Sequence, residues 1–235
     1  MSMPRPRRSL PYVAAFVALA LAAGAATYVN DPQRASHNAQ PGAFDHYVLV
    51  LSWSPTYCLA KGNRRHDPQC DTKRSHDFVL HGLWPQYANG WPEDCYAGQR
   101  PWVPSEVIDG MRDIMPSKSL IIHEYAAHGT CSGLSPKEYF DDARSLYDRV
   151  SLPAAYEDPE TQRFLSPEKI EAEFLAANSW LQPDMIAVTC RQGNLRDVRL
   201  CFDRDLRPRA CSASIGQTRQ CRAGRITVPV LRSDR

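Results

Sequence analysis

Eight cysteines constrain the fold of this 235-residue chain more than any other feature of its sequence. Their number is even, they are dispersed through the second part of the chain, and no C-x-x-C pair occurs. Such spacing in an exported protein is typical of structural disulfides. It does not reveal which cysteines are joined. The eight are Cys58, Cys70, Cys95, Cys131, Cys190, Cys201, Cys211 and Cys221.

The N-terminus predicts export. Three arginines within the first eight residues precede an apolar run over 12–23, and a small-x-small cleavage site follows at 23–25. The run of 12 residues is short for a membrane span, which needs about 20. We therefore predict a signal peptide over 1–25, no stable membrane association after its cleavage, and a periplasmic or secreted protein. An uncleaved signal anchor is the alternative.

The remaining chain divides into a predicted flexible tether over 26–43, which is polar and contains Pro and Gly, and one domain over 44–235. The formal net charge is +2, and removal of a leader with three Arg and no acid leaves −1. A nearly neutral protein is not a general polyanion binder, so nucleic-acid affinity must come from a local patch. The basic loop Lys61–Arg74 is either such a phosphate-steering rim or simply a solvated loop.

Hydrophobic patterning predicts helices and mainly antiparallel strands in mixed order, which is the α+β class. Tyr47–Leu51 is apolar and β-prone, which favours a strand buried on both faces and ended by Pro55. Ser135 and Glu138 form a capping box for a helix that extends to about residue 150. Further helices are expected over 104–115, around His123 and over 167–178, and further strands over 78–80, 185–189, 196–202 and 226–231, with a turn at 192–194. The expected core side chains include Tyr139, Phe140, Leu146 and Phe174.

The segment His123–Cys131 concentrates groups that can bind zinc or transfer protons. In a helix, Glu124 and His128 lie four residues apart on one face, with His123 beside them. The zincin motif H-E-x-x-H differs from the H-E-x-x-x-H found here, and one extra residue rotates the second imidazole by about 100°. Proton transfer is therefore the favoured interpretation, and no metal is expected. The alternative is a solvated helix face without a catalytic function.

A second segment, His81-Gly82-Leu83-Trp84-Pro85, follows the short strand predicted at 78–80, which places His81 at the end of that strand. Together the two segments resemble the signatures H-G-L-W-P and H-E-W-x-K-H-G-x-C of the ribonuclease T2 family. The first signature matches fully, whereas the second has Tyr125 for Trp and Ala127 for Lys. An L-x-W-x-P-x-x-C stretch at 51–58 extends the resemblance, which covers about residues 44–230.

The resemblance implies a central antiparallel sheet flanked by helices, with both His signatures meeting across a cleft. It implies a metal-independent, cofactor-free endoribonuclease that cleaves single-stranded RNA, and not DNA, through a 2′,3′-cyclic phosphate. His128 would be the general base and His81 the general acid, since two imidazoles near their usual pKa of about 6.5 hold opposite protonation states at mildly acidic pH. His123 would hold the phosphate, and Glu124 would bind the phosphate or orient a histidine. A monomer is the default.

The resemblance also suggests the disulfides Cys95–Cys131 and Cys190–Cys221, and proximity in the sequence adds Cys58–Cys70 and Cys201–Cys211. In the family, the residues after the first signature form the base pocket. Trp84 and Trp91 would then stack on a base, and the Gln86 amide would contact a base edge. The alternative is that one of these aromatic side chains belongs to the core.

Ala127 is the departure that matters, because the family lysine supplies positive charge to the reacting phosphate. Loss of one such donor commonly slows a reaction by about two to three orders of magnitude. Lys118 or an arginine of the basic loop could substitute, or the enzyme could be slow. The alternative function is a catalytically weakened, T2-like RNA-binding or toxin protein.

Overall fold

The computed structural model describes residues 35–37, 39–61, 67–70, 76–215, 221 and 223–230. The predicted signal peptide and the four cations at 64, 65, 73 and 74 of the basic loop lie outside these residues. The strands are β1 Ala35–His37, β2 His46–Trp53, β3 Phe78–Gln86, β4 Trp91–Glu93, β5 Arg163–Leu165, β6 Ile186–Arg191, β7 Asn194–Phe202 and β8 Ile226–Val228. The helices are α1 Ser54–Lys61, α2 Ser105–Met111, α3 Lys118–Glu124, α4 Thr130–Ser132, α5 Pro136–Arg149 and α6 Pro167–Ala177.

The main sheet is built around β2. All eight residues of β2 are buried, which confirms the strand predicted to be covered on both faces. Strand β2 pairs antiparallel with β3 on one side and with β7 on the other, giving the order β3-β2-β7-β8-β5, and β6 also pairs with β7. The pairing is antiparallel except for one parallel bridge between β7 and β8. The predicted α+β class with a central, mainly antiparallel sheet is confirmed.

Local signals set several element boundaries as expected. Helix α5 begins with the predicted capping box, in which Ser135 and Glu138 satisfy each other's backbone donors. Gln192 and Gly193 both have positive φ, 51° and 78°, between β6 and β7. Two consecutive positive φ values are typical of the type I′ hairpin turn.

Other boundaries differ from the sequence prediction. Strand β2 ends at Trp53, and Pro55 lies in the first turn of α1 instead of merely ending a strand, because proline is tolerated where a helix begins. Helix α2 is shorter than the predicted 104–115 and ends at Met111. The expected tether contains β1, which pairs in parallel with β4. Backbone pairing of this kind needs no apolar side chains, so the polar sequence did not reveal it.

The larger core lies between the sheet and the helices. Trp53 contacts Phe78 and Tyr156 at ring-centroid distances of 4.9 and 5.7 Å, and Phe174 completes the aromatic cluster. The four predicted core side chains, Tyr139, Phe140, Leu146 and Phe174, are all buried. A smaller apolar cluster on the other side of β2 contains Val48, Val50, Ala187, Cys201 and Ile215, and Trp84 packs against it.

Four disulfides join Cys58 to Cys70, Cys95 to Cys131, Cys190 to Cys221 and Cys201 to Cys211, which are the four pairings expected above. The Cys95–Cys131 bond connects the loop after β4 to α4. It thereby ties the segment that follows His81 to the segment that contains His128. Within the described part of the chain, no helix is long and apolar enough to cross a membrane.

Candidate active site

His81 lies inside β3, not at the end of a strand as predicted from sequence. In the ladder with β2, Leu80 pairs with Leu51 and Gly82 pairs with Val50, so His81 is the extra residue of a β-bulge. A bulge leaves one residue out of the ladder and redirects its side chain. It also lets Leu80 and Leu83 both enter the larger core although they are three residues apart.

Gly82 allows the two histidine segments to approach each other. A Cβ at this position would overlap with Glu124 Oε2 and lie 2.9 Å from Trp84 Nε1. A residue with any side chain would therefore displace the Glu124 carboxylate and its hydrogen bond with Trp84. The glycine of the first signature is required by this close approach.

The segment around His128 is not a regular α-helix. Helix α3 continues from Glu124 into a π-helical turn, Tyr125–Gly129, and then into the short α4. Within this turn, Ala127 O accepts a hydrogen bond of 2.9 Å from Asp94 N. Turns of this kind are rare, and many occur at functional sites. The sequence contains no signal that identifies the π-turn.

Glu124 lies between the two imidazoles. Its side chain is 1% exposed; Oε1 is 3.3 Å from His81 Nε2, and Oε2 is 4.0 Å from His128 Nε2. Trp84 Nε1 donates a hydrogen bond of 2.8 Å to Oε2. Burial alone would raise the Glu124 pKa, but the charges of His81 and His128 and these hydrogen bonds outweigh burial and lower it. Glu124 is therefore a buried carboxylate.

The second nitrogen of His81 joins a polar chain that ends at another buried carboxylate. His81 Nδ1 is 2.8 Å from Ser52 Oγ, and Ser52 Oγ donates to Asp197 Oδ1 at 3.2 Å. Because the Ser52 proton points to Asp197, Ser52 accepts from His81, which places a proton on Nδ1. Burial acts to lower the His81 pKa, but Glu124 and Asp197 outweigh it, and the net effect raises the pKa above 6.5.

His128 has the opposite electrostatic environment. Its pKa is lowered, first by burial and then by the nearby His81 and His123, against the opposing effects of Glu124 and Glu93. Among the described residues, no hydrogen-bond partner reaches His128 Nδ1. The site thus holds one imidazole that favours its proton and one that favours the neutral form.

A cleft of about 400 Å³ opens beside these groups. Trp84 lies between the histidines, with ring centroids 5.6 Å from His81 and 5.0 Å from His128. Gln86 is buried, and its Nε2 donates to Pro85 O at 2.9 Å. The cleft is lined by Trp84, Gln86, Trp91, Glu93, His128, Arg196, Arg199, Ser214 and Ile215.

Some residues singled out from the sequence do not line this cleft. His81 and the exposed His123 are not among its lining residues, although the charge of His123 acts on His128. Lys118 lines a separate depression of about 410 Å³, together with Arg100 and the exposed Trp102. Within the described ranges, no three His, Cys, Asp or Glu side chains are grouped so that they could hold one metal ion.

The sequence did not identify Ser52, Asp197, Arg196 and Arg199 as parts of the site. Cross-strand pairing places Ser52 opposite Asp197, and Val50 opposite Arg199, on β2 and β7. These residues are about 145 positions apart in sequence and belong to no motif that we could recognise. Only the register of the sheet brings them together.

Comparisons with known proteins identify the family of the chain. The model of the Ribonuclease T2 family matches residues 44–211. A ribonuclease of Aeromonas hydrophila is 41% identical over 114 residues, which cover 48% of this chain and 50% of that protein. A probable ribonuclease of Haemophilus influenzae is 33% identical over 121 residues, covering 46% and 44%. The chain spans about half the length of these two relatives.

A solved structure shows the same fold. RNase NT in complex with 5′-AMP superimposes with a TM-score of 0.61 at 25% sequence identity, over 80% of this chain and 99% of that one.

Proposed function

Because the chain belongs to the ribonuclease T2 family, we propose that it is an exported endoribonuclease that cleaves single-stranded RNA by transphosphorylation. The reaction forms a 2′,3′-cyclic phosphate, which can then be hydrolysed to a 3′-phosphate. The reaction requires a general base, a general acid and positive charge near phosphorus, and side chains can supply all three without a cofactor.

The observation that carries the proposal is the pair of imidazoles on either side of Glu124. Their pKa values are displaced in opposite directions, His81 upward and His128 downward. Groups of one chemical type whose pKa values are pushed apart are the expected acid and base of a site. Both imidazoles pack against Trp84, and Trp84 and His128 line a cleft large enough for a nucleotide base.

In the first step His128 takes the proton of the ribose 2′-hydroxyl, and the 2′-oxygen attacks phosphorus. The bond from phosphorus to the 5′-oxygen breaks, and His81 gives its proton to that leaving oxygen. In the second step a water replaces the leaving group and the two histidines exchange roles, which restores their initial protonation states. Glu124 keeps His81 charged and holds Trp84 through the hydrogen bond from its indole.

Binding of the substrate is assigned to the walls of the cleft. Trp84 and Trp91 offer faces for stacking on a base, which contributes about 1–3 kcal/mol per base. Gln86 supplies an amide at the same wall, although one of its N–H groups is used by Pro85 O. The exposed His123, whose charge acts on His128, would hold the phosphate.

A chimeric oligonucleotide tests the mechanism directly. A DNA strand with a single ribonucleotide should be cut in EDTA only on the 3′ side of that ribonucleotide, and mass spectrometry should find the cyclic phosphate on the 5′ fragment. All-DNA of the same sequence is the matched substrate control, and His128→Ala is the protein control. Cleavage of the all-DNA strand, or loss of activity on chelation, would contradict transphosphorylation.

The same assay separates the two rival functions. A zinc hydrolase would contain metal when purified and would be inhibited by chelator. If the protein were a T2-like RNA-binding or toxin protein, wild type and the His81→Ala and His128→Ala variants would all bind RNA with equal affinity. None of the three would cleave RNA.

Export and a periplasmic or secreted location are proposed from the leader at 1–25 and from the four disulfides, since disulfides persist in oxidising compartments. N-terminal sequencing of the protein recovered from the periplasm or medium should find cleavage close to residue 25. Recovery of the intact N-terminus in the membrane fraction would indicate a signal anchor instead. A monomer is expected in either case, and its mass can be measured by light scattering.

A further inference from the structure

Position 127 leaves the proposed reaction without the cation that its family signature contains. Ala127 is buried in the π-helical turn, and its methyl group brings no charge to the site. The negative charge that develops on phosphorus still has to be stabilised in a partly buried site, where a matching cation contributes more than it would in water. The following inference rests on the proposed function and concerns where this positive charge comes from.

Two arginines of β7 line the same cleft as His128 and Trp84. In the ladder between β6 and β7, Thr189 pairs with Asp197 and Cys190 pairs with Leu195, so Arg196 is the extra residue of a second β-bulge. As at His81, the bulge redirects a side chain at the point where the ladder is interrupted. The Arg196 side chain is 45% exposed and can reach a ligand in the cleft.

One buried carboxylate fixes both arginines. Asp197 Oδ2 is 3.4 Å from Arg196 Nε and 3.6 Å from Arg199 Nη2. Thr189 Oγ1 donates to the same oxygen at 3.1 Å, and Ser52 donates to the other one. The contact with Arg196 uses Nε, the guanidinium nitrogen nearest the backbone, so the fork formed by its two Nη groups extends beyond Asp197. A guanidinium fork of this geometry matches two phosphate oxygens.

The ring of Trp84 contacts both Arg199 and His128. The guanidinium carbon of Arg199 lies 5.2 Å from the centroid of the Trp84 ring, and that ring is 5.0 Å from the ring of His128. The charge of Arg196 also reaches His81, where it acts to lower the pKa of the imidazole. The two cations therefore lie within electrostatic range of both the proposed acid and the proposed base.

We propose that Arg196 and Arg199 replace the family lysine, binding the non-bridging oxygens of the scissile phosphate and stabilising the pentacoordinate phosphorane. Neither arginine gains or loses a proton during the reaction. The proton of the 2′-hydroxyl still moves to His128, and that of His81 moves to the 5′-oxygen. The positive charge that replaces the family lysine therefore comes from β7 and not from a position next to Ala127.

The test measures kcat and KM for a dinucleoside phosphate with Arg196→Gln, Arg199→Gln and the double variant. We expect kcat to fall about 10- to 100-fold for Arg196→Gln and about 100- to 1,000-fold for the double variant, with KM changed much less, because the lost contacts are strongest in the transition state. Arg196→Lys, which keeps the charge, should retain more activity than Arg196→Gln. Arg207→Gln removes another exposed, ion-paired arginine and is the matched control.

Restoring the family residue gives an independent readout. Ala127→Lys in the Arg196→Gln background should recover at least tenfold in kcat if one cation replaces the other. Thermal unfolding of each variant shows whether it is folded. If Arg199→Gln unfolds the protein, the result for Arg196→Gln is used alone, because the Arg196 side chain is half-exposed. Folded variants with kcat within twofold of wild type, or with only KM altered, would overturn the proposal. If wild type itself does not cleave RNA in EDTA, the proposed function fails. If wild type and the arginine variants are equally active, only the role of the arginines fails.

Discussion

His81 and His128 are chemically identical side chains that face the same carboxylate, yet their surroundings differ. His81 sits in a strand bulge, is 28% exposed, and has a polar partner at each ring nitrogen, Ser52 and Glu124. His128 sits in a π-helical turn, is 10% exposed, and has Glu124 at the longer distance of 4.0 Å. For His81, the charge and hydrogen bond of Glu124 and the charge of Asp197 outweigh burial and raise the pKa, whereas for His128 burial prevails and lowers the pKa.

This difference shows how one site can assign an acid and a base without using two residue types. With His128 below and His81 above the usual pKa of about 6.5, the productive combination of neutral His128 and protonated His81 is populated around that pH. Activity should fall at low pH as His128 gains a proton and at high pH as His81 loses one. A pH profile that is flat between pH 4 and pH 8 would contradict the assignment.

The strongest test of the comparison removes each imidazole in turn. His128→Ala and His81→Ala should each lower kcat/KM by about 100- to 10,000-fold, because each removes one proton-transfer group. In the His128 variant the low-pH limb of the profile should disappear, and in the His81 variant the high-pH limb should disappear. Lys137→Ala is the control, and it should keep its activity since that side chain is 74% exposed and does not line the cleft. The same limb lost in both variants would mean that the roles are not divided in this way.

A second test removes the charge that separates the two pKa values. Glu124→Gln should lower the pKa of His81 and move the high-pH limb of the profile toward acid, with kcat/KM reduced about 10- to 100-fold. The acid limb should move less, because Glu124 is farther from His128. NMR titration of the two imidazoles in the free protein measures both shifts. An unchanged His81 titration would show that Glu124 does not control it.

The third test displaces the carboxylate that lies between the two imidazoles. Gly82→Ala places a methyl group against Glu124 Oε2, and we expect a loss of about 1–3 kcal/mol in the free energy of unfolding together with weakened activity. Gly110→Ala is the control, since a methyl group there meets no atom within 4 Å. Urea unfolding of both variants gives the comparison. Equal stability of the Gly82 variant and wild type would mean that the Glu124 carboxylate is not fixed in this position.

The smallest expected effect concerns the partner that only His81 has. Ser52→Ala removes the hydrogen bond at Nδ1 and should lower kcat about three- to tenfold, the rate equivalent of about 0.5–1.5 kcal/mol. The high-pH limb should shift slightly toward acid, and the low-pH limb, set by His128, should stay in place. Movement of both limbs would indicate a general structural change and not a local effect on His81.

The sequence alone identified the chemistry of the site but not its arrangement. The signatures around His81 and His128 predicted the residues that meet at Glu124. The family resemblance suggested two of the observed disulfides, and proximity in the sequence suggested the other two. Apolar, β-prone runs and a capping box predicted the central strand and α5, because these signals are local in the chain. The two β-bulges and the π-turn were not predicted, because each results from a mismatch between an element and its neighbours and leaves no local pattern.

The amino-acid sequence by itself determined which side chains can exchange protons and which cysteines are available for disulfides, since these properties belong to the residues themselves. Only the tertiary structure decided which imidazole keeps its proton, because a pKa depends on burial and on charges that come from distant parts of the chain. It also decided that Arg196 and Arg199 stand beside the cleft, since their position follows from the register of β7 against β2 and β6.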